Sequence, residues 1–269
     1  LRLKVYLSIT VFVNRIYQKT VSEPVSFEGV GVHSGKKSKI KILPGKNDSG
    51  IVFKRVDLLN NNLIEANYKN VSSTTLSTTL QNNFGVKVST VEHLLAALYI
   101  ADIESAIIEI NNEEVPIMDG SAKQFLNVLK KTKTKQINKK IEYLKITEKI
   151  ELKDGVRKIE ITPKNSFEVD FELQYENQVI ANQRNLVNFQ TDNLSAVEEA
   201  RTFCLYEDIQ KIKKMGLAKG GTLENAVVVN ENEVINYEGL RNEKEFVNHK
   251  ILDLAGDFSL SGYKILGSV

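Results

Sequence analysis

The sequence of 269 residues contains no tryptophan and only one cysteine, and what it lacks excludes several classes of protein. A single cysteine, Cys204, excludes an intramolecular disulfide and fits a reducing compartment such as the cytoplasm. No apolar run is long enough to span a bilayer, so we expect no transmembrane segment. A net charge of +2 provides no strong basic field, so we expect no nucleic-acid partner. The remaining composition, 42% hydrophobic and 26% charged, is that of an ordinary globular protein.

Histidine is also scarce, and two of the three histidines stand beside carboxylates in apolar, helix-like segments. His249 and Asp253 are four residues apart, so on a helix they lie on the same face. His93 is a candidate third ligand and has Glu92 next to it. Two histidines and one carboxylate leave an open position on zinc, which is the arrangement of a hydrolytic site.

Ordinary structural explanations exist for the same residues. An isolated His-x-x-x-Asp pair on a helix is more often a surface pair than a metal site, because short motifs have a high false-positive rate. The segment Ser89–Glu92 also fits a capping box, with Ser89 as the N-cap and Glu92 at the third helical position. Spacing alone leaves both alternatives open.

The chain is predicted to contain two α+β domains joined by a linker. Residues 16–130 form the first domain, in which Ser89 opens a helix that runs through Tyr99. Residues 131–140 are a polar, lysine-rich run that we expect to be a solvated connector without packing. Residues 141–269 form the second domain. Its predicted strands are 141–146, 157–163, 167–173 and 225–229, with a strand-like segment at 200–204 and helices at 207–214 and 243–260.

The first 15 residues are an atypical extension, apolar and basic, with no acidic residue before Glu23. They fit a poor signal peptide, an organellar transit segment or an upstream extension from a misassigned start, so organellar targeting stays open beside the cytoplasm. They lack a small-residue cleavage site. The sequence begins with Leu1 rather than methionine, which fits a fragment.

Six motifs follow one another along the chain: FEGVGVHSGKK (27–37), STVEHL (89–94), VPIMDGSA (115–122), ARTF (200–203), GLAKGGTLENA (216–226) and FVNHKILD (246–253). Together they resemble the zinc-dependent UDP-3-O-acyl-N-acetylglucosamine deacetylases of lipid A biosynthesis. The resemblance extends from about Val25 to the last residue. It implies two pseudo-repeated sheet-and-helix layer domains with the helices packed between the sheets, and a βαβ insert at about 201–230. The implied reaction removes acetate from UDP-3-O-(3-hydroxyacyl)-N-acetylglucosamine, the committed step of the pathway.

The resemblance also implies roles for individual residues. His93, His249 and Asp253 correspond to the zinc ligands, and iron(II) accepts the same donor set. Glu92 corresponds to the general base and Thr202 to a threonine that faces the developing oxyanion, although an ordinary strand threonine also fits. Lys250 corresponds to a substrate contact, with a solvated lysine as the alternative. Asp257 corresponds to an aspartate that orients a second catalytic histidine.

Substrate contacts follow from the same resemblance. Leu76, Ser77, Thr78 and Phe203 match contact positions, and the insert is expected to enclose the fatty acyl chain, with helix-core packing as the alternative. The expected partner is a UDP-linked acylated amino sugar, and we expect a monomer. Candidates to line the acyl passage are Leu205, Ile209, Ile212, Met215, Leu217 and Leu223.

The sequence departs from the family pattern at its C-terminal end. The second catalytic histidine of the family lies beyond the position that corresponds to Val269. Two hypotheses therefore stand, an active deacetylase and a truncated, catalytically weak homologue that only binds the UDP-acyl-sugar. DNA downstream of the last codon distinguishes them, since a continued frame with a Gly-His segment favours the enzyme.

Overall fold

The computed structural model describes residues 15–46 and 49–269 of the chain. The predicted N-terminal extension therefore lies outside the described residues, except for Arg15. The described chain combines several β-sheets with α-helices, which confirms the predicted α+β class. Within the described residues, no helix is both long enough and apolar enough to cross a membrane.

The first half of the chain is built from strands in which polar and apolar residues alternate. In Lys37–Pro44, Ser38, Ile40 and Ile42 are buried while the lysines between them are exposed, because successive side chains of a strand point to opposite faces. One face therefore joins the core. The elements are β1 Tyr17–Val21, β2 Val25–Val30, β3 Lys37–Pro44, β4 Ile51–Arg55, β5 Leu63–Glu65, a 3-10 turn Tyr68–Asn70, β6 Val71–Ser73, β7 Thr79–Gln81, β8 Lys87–Ser89, α1 Glu92–Ile100, β9 Ala106–Ile110 and α2 Lys123–Leu129.

The second half supplies another large sheet and a long helix. Predicted strands 157–163 and 167–173 are present with those bounds, and the predicted final helix is Glu245–Ser259. The elements are β10 Thr134–Lys140, β11 Tyr143–Lys145, β12 Ile150–Asp154, β13 Arg157–Pro163, β14 Phe167–Leu173, β15 Gln183–Asn188, α3 Ser195–Glu198, β16 Phe203–Leu205, α4 Tyr206–Lys214, β17 Val227–Asn230, β18 Glu233–Val234, α5 Glu245–Ser259 and β19 Lys264–Ser268.

The described strands form two large sheets and three small ones, of which the smallest pairs β1 with β10. The first large sheet has the order β2-β3-β9-β4-β5, and its one parallel pair among the described strands is β4 and β9. The second has the order β12-β13-β19-β14-β15, with β11 beside β19. Strands β6 to β8 form a small antiparallel sheet. Strand β16 lies parallel to β17 and α4 connects them, so this segment is a βαβ unit.

Helices α1 and α5 pack against each other between the two large sheets. One contiguous apolar core includes Ile42 of β3, Leu94 of α1, Ile251 of α5 and Phe167 of β14. The helices come into backbone contact at Gly256, where an added Cβ would collide with the main chain of Glu92. This crossing brings the start of α1 against α5, and these are the elements that contain His93 and His249.

The prediction that residues 131–140 form an unpacked connector was wrong in part. Thr134–Lys140 is strand β10, and it pairs antiparallel with β1. Its side chains are mostly exposed, as expected for a polar run. Backbone pairing needs only free N–H and C=O groups, and β1 supplies them from a distant part of the sequence that the local charge pattern does not reveal.

The capping-box interpretation of Glu92 was also wrong. Ser89 ends strand β8, and its hydroxyl donates to the carbonyl of Glu113 at 3.2 Å. Helix α1 begins only at Glu92, and Val91 at the N-cap makes no side-chain capping bond. Tertiary pairing of this segment beside Glu113 extends the strand to Ser89 and delays the helix.

Candidate active site

Three potential metal ligands from α1 and α5 meet at the helix crossing. The ligand atoms of His93, His249 and Asp253 all lie within 4.8 Å of one another. Asp253 Oδ1 is 3.3 Å from Nε2 of His93 and 3.2 Å from Nε2 of His249. Both histidines are buried, at 4% and 1% exposure respectively. Three donors thus converge from two rigid helices on one small volume.

The orientation of His249 is set by a main-chain group. Its Nδ1 lies 3.0 Å from the carbonyl oxygen of Ala200, and since that oxygen is an acceptor, Nδ1 carries the hydrogen and Nε2 keeps its lone pair. Burial, opposed in part by the charge of Asp253, lowers the pKa of His249 to about 3. The ring is therefore neutral near pH 7, which is the form that binds a metal.

His93 and Asp253 have a different electrostatic balance. Burial lowers the pKa of His93, but the hydrogen bond and charge of Asp253 outweigh it and raise the pKa. The pKa of Asp253 is well below its ordinary value because His249, Lys250 and His93 together outweigh its burial. Oδ1 of Asp253 faces Nε2 of both histidines, and Nδ1 of His93 is buried without a hydrogen-bond partner among the described residues. Two imidazole nitrogens and a carboxylate oxygen that converge in this way fit a divalent cation of the zinc type.

Glu92 lies next to the triad as the first residue of α1. It is 7% exposed, and its Oε2 accepts the backbone N–H of Thr78 at 3.0 Å. Burial and the negative charge of Asp253 raise the pKa of Glu92 to about 7, against the opposing charge of His93. A carboxyl group with this pKa exchanges a proton readily near neutral pH.

Thr78 joins Glu92 to a second carboxyl group. Its hydroxyl donates to Oδ1 of Asp257 at 2.8 Å. Removal from water raises the pKa of Asp257 to about 6, and the charge of Asp253 adds to that rise while the Thr78 hydrogen bond opposes it. His249, Asp253 and Asp257 follow one another at intervals of four residues on α5, so this face of the helix leads from the triad to the second carboxyl group. Thr78 itself is 6% exposed and bonds to these carboxyl groups.

Lys250, Phe203 and Thr202 border the triad on the side of the βαβ unit. Nζ of Lys250 donates to Oδ2 of Asp253 at 2.9 Å and lies 5.5 Å from the centre of the Phe203 ring. The charge of Asp253 outweighs burial and raises the pKa of Lys250, so this residue is not the freely solvated lysine of the alternative interpretation. Thr202 precedes β16 instead of lying within it, and its backbone N–H donates to the carbonyl of Gly120 at 2.8 Å.

A cavity of about 390 Å³ extends from the triad along the βαβ unit. Leu76, Thr202, Phe203 and Lys250 border it together with the triad and Glu92. Of the six candidates for the acyl passage, the structure brings three to the cavity. Its apolar wall includes Ile209, Ile212 and Leu223, together with Val32, Ala226, Val228 and Ile235.

Other predicted contacts do not reach this cavity. Met215 is 59% exposed at the end of α4, and Leu217 follows it in the next turn of the chain. Leu205 packs instead in the apolar cluster around Phe246. Ser77 is half-buried beside the cavity but is not part of its wall. The spacing of apolar residues along a helix does not reveal which of them face the cavity, because that depends on how α4 packs against β16 and β17.

Comparison with known proteins identifies the family of this chain. The family model described as UDP-3-O-acyl N-acetylglycosamine deacetylase matches residues 18–269. The chain belongs to this deacetylase family. Curated proteins named UDP-3-O-acyl-N-acetylglucosamine deacetylase are similar along the same stretch. One from Geobacter sp. (strain M21) is 41% identical over 255 residues, covering 94% of this chain and 83% of the relative. One from Shewanella frigidimarina (strain NCIMB 400) is 42% identical over 255 residues, with the same coverages. One from Nautilia profundicola is 40% identical over 252 residues, covering 93% and 85%.

In this member of the deacetylase family, a buried ion pair supports the site in a way the sequence did not predict. Arg201 and Glu245 are both fully buried, and Arg201 Nε donates to Glu245 Oε1 at 2.8 Å. The same oxygen accepts the backbone N–H of Arg201 at 3.1 Å. Arg201 stands between Ala200, whose carbonyl orients His249, and Thr202. The sequence carried no clear signal for this pair, because Arg201 follows two glutamates and its buried partner lies 44 residues further along the chain.

Proposed function

We propose that this protein is a zinc-dependent amidohydrolase that removes acetate from a UDP-3-O-acyl-N-acetylglucosamine. The observation that carries the proposal is the meeting of His93, His249 and Asp253 beside Glu92 at one end of an apolar cavity. The family and the names of its curated relatives support the same substrate. Iron(II) accepts the same donor set.

The metal site has the composition of a hydrolytic centre. His93, His249 and Asp253 would hold the ion and leave a position open for other ligands. When bound, the ion supplies Lewis acidity to the water nucleophile and to the amide carbonyl that it attacks. Asp253 favours a proton on His93, and that proton would be released when a metal binds, because an imidazole ligand must be neutral.

The carboxyl groups accept and donate the protons of the reaction. Glu92 takes a proton from the attacking water, a role supported by its position beside His93 and by its pKa of about 7. We assign Thr202, which borders the cavity beside the triad, to donate its hydroxyl to the charge that develops on the carbonyl oxygen. The leaving amine must gain a proton, and we assign to it the proton that Glu92 has taken from the water, with Asp257, which Thr78 holds near Glu92, supporting this transfer.

The remaining residues bind the substrate. Lys250, held at the triad by Asp253, offers its ammonium group to polar groups of the sugar nucleotide. Leu76 and Phe203 border the entrance, and the apolar wall formed by Ile209, Ile212 and Leu223 suits a fatty acyl chain. The single cysteine, which forms no disulfide, supports the cytoplasm as its location.

Substitution of Glu92 by Gln tests the proposal. We expect turnover to fall about 100- to 10,000-fold because the proton acceptor is lost. Bound zinc should stay stoichiometric, and the melting temperature should not fall, because Gln can still accept the N–H of Thr78 and needs no buried charge. Acetate release, metal content and thermal unfolding are measured on the same preparation.

Glu28→Gln is the matched control, since Glu28 is exposed on β2. It should leave all three measurements unchanged. Full turnover by Glu92→Gln with a lowered melting temperature would instead make Glu92 a structural residue and contradict the proposal.

A further inference from the structure

A buried carboxyl group outside the site connects two segments that border it. Glu114 is 1% exposed and lies between the glycine-rich loop around His33 and the start of α1. Its Oε1 accepts the backbone N–H of His33 at 2.8 Å and the hydroxyl of Thr90 at 3.0 Å. Its Oε2 accepts the backbone N–H of Ser34 at 2.7 Å. Three donors from two separate segments therefore share one side chain.

Thr90 has an unfavourable backbone conformation. Its φ is +56°, in the left-handed region that a β-branched residue rarely adopts. Such a conformation persists only where neighbouring contacts enforce it, and the hydrogen bond of its hydroxyl to Glu114 is one of them. Helix α1 begins two residues later with Glu92 and His93. The backbone direction at Thr90 therefore determines where these two side chains stand.

Main-chain hydrogen bonds and a glycine allow Glu114 to lie beside both Thr90 and the loop around His33. The backbone N–H of Ser89 donates to the carbonyl of Glu113 at 2.9 Å, and that of Val115 donates to the carbonyl of Ser89 at 3.1 Å. Glu114 is thereby placed beside Thr90. On the other side, a Cβ at Gly31 would collide with Oε2 of Glu114. The loop can close on the carboxyl group only because residue 31 is glycine.

We propose that Glu114 is a positioning residue for the active site. By holding the hydroxyl of Thr90 it keeps this residue left-handed, and it thereby fixes the first turn of α1 with Glu92 and His93. Its own hydrogen bonds go to neither of these groups, so it acts through Thr90. The inference rests on the proposed function, because the positioned groups are the proposed base and one proposed metal ligand.

A double-mutant cycle tests the route through Thr90. Glu114→Gln leaves one neutral oxygen for three donors and places an amide N–H beside them, which weakens the contact that holds Thr90 in the left-handed region. We expect kcat to fall about 10- to 100-fold and zinc affinity, measured by chelator competition, to fall about tenfold or more. Glycine adopts the left-handed region without strain. In a Thr90→Gly background, Glu114→Gln should therefore change kcat and zinc affinity little, whereas any rise in KM from the loosened His33–Ser34 loop should persist.

Glu113→Gln is the matched control, because Glu113 adjoins Glu114 but its side chain is 53% exposed. It should change neither kcat nor zinc affinity. Equal losses from Glu114→Gln in both backgrounds would overturn the route through Thr90. A lowered melting temperature with unchanged kcat and zinc affinity in the folded protein would reduce Glu114 to a structural residue.

A second pair of variants covers the case in which Glu114→Gln does not fold. Thr90→Val removes the hydroxyl but leaves the contacts of Glu114 to the loop, whereas Thr90→Ser keeps the hydroxyl. We expect lower kcat, weaker zinc binding and faster amide hydrogen exchange at Val91 in the Val variant than in the Ser variant, and equality of the two would overturn the inference. If the wild-type protein releases no acetate, the proposed function fails, while zinc affinity and amide exchange still decide the role of Glu114.

Discussion

At the scale of single residues, the site depends on which ring nitrogen of each histidine faces Asp253. Three histidines have similar chemistry, but only two point a ring nitrogen at Asp253. The third, His33, has Nε2 3.3 Å from the carbonyl of Leu76, and its Nδ1 lies 3.4 Å from the backbone nitrogen of Ala218. Its contacts join two loops, so the structure keeps it apart from the triad.

The zinc content of alanine variants should distinguish His249, a proposed ligand, from His33. We expect His249→Ala to lose zinc at stoichiometric loading, with an affinity reduced by more than the roughly 10- to 100-fold typical of a lost outer-shell contact. His33→Ala is the control and should retain zinc, because His33 is outside the triad. Elemental analysis after gel filtration measures both variants. Full zinc retention by His249→Ala would refute the ligand set.

At the scale of elements, the decisive contact is the crossing of α1 and α5. Because residue 256 is glycine, the main chain of Glu92 can lie directly against α5. Any separation of these helices would move Glu92 and His93 away from His249 and Asp253. The geometry of the site is thus a consequence of how two helices pack.

Gly256→Ala should therefore damage both stability and function. The added methyl group has to displace main chain rather than a flexible side chain, and overpacking of this kind costs about 1–3 kcal/mol. We expect weaker zinc binding and lower turnover in the protein that still folds. Urea unfolding and chelator competition measure the two effects.

The control glycine is Gly155, in the turn between β12 and β13. Its φ is +58°, and nothing lies within 4 Å of an added Cβ. Because Asn tolerates the left-handed region, Gly155→Asn should leave zinc binding unchanged. Unimpaired zinc binding in Gly256→Ala would mean that the helices separate without moving the ligands.

At the scale of the whole molecule, the two halves are joined by a shared core and by a charge cluster at the far end of α1. Nζ of Lys264, in β19, is 3.1 Å from Asp102 and 3.5 Å from Glu104. Arg15 also pairs with Glu104, at 2.6 Å. Lys264 additionally lies 4.0 Å from the centre of the Tyr99 ring. Lys264, Glu104 and Arg15 are 12–14% exposed and are shielded from much of the solvent, whereas the side chain of Asp102 is 51% exposed.

Replacement of Lys264 by Met should lower stability in a pH-dependent way. We expect a loss of about 1–3 kcal/mol at pH 7, between the values for exposed and fully buried pairs. Burial raises the pKa of Asp102, but Lys264 and Arg15 outweigh it and lower that pKa below its ordinary 3.8. The ionised carboxylate therefore stabilises the folded state above pH 3.8, and this contribution disappears as the pH falls through the lowered value.

The difference in unfolding free energy between wild type and Lys264→Met should accordingly shrink in strongly acidic solution. Urea unfolding at neutral and acidic pH measures it. Lys149→Met, which removes an exposed cation on the β12–β13 hairpin, should cause a smaller loss. An undiminished difference at low pH would assign the effect of Lys264 to packing on Tyr99 instead of charge.

The division of the chain into two domains, residues 16–130 and 141–269, stays a prediction.

The sequence by itself determined several local elements and the family, and it pointed to the candidate site residues. Period-two alternation specifies strands such as β13 and β14, and the apolar segment around His249 specifies α5, because side-chain burial follows backbone periodicity. The six ordered motifs pointed to the family that the comparison then showed. These features are encoded in neighbouring residues.

Only the tertiary structure decided how these elements meet. The charge pattern of residues 134–140 could not predict pairing with β1, and the Ser89–Glu92 spacing wrongly indicated a capping box, because partners from distant segments override local preferences. The same cause explains why Glu114, Arg201 and Gly256 carried no clear signal. Their importance lies in contacts made across 24 to 164 sequence positions, with Thr90, Glu245 and Glu92 respectively. Such contacts exist only once the chain has folded around its core.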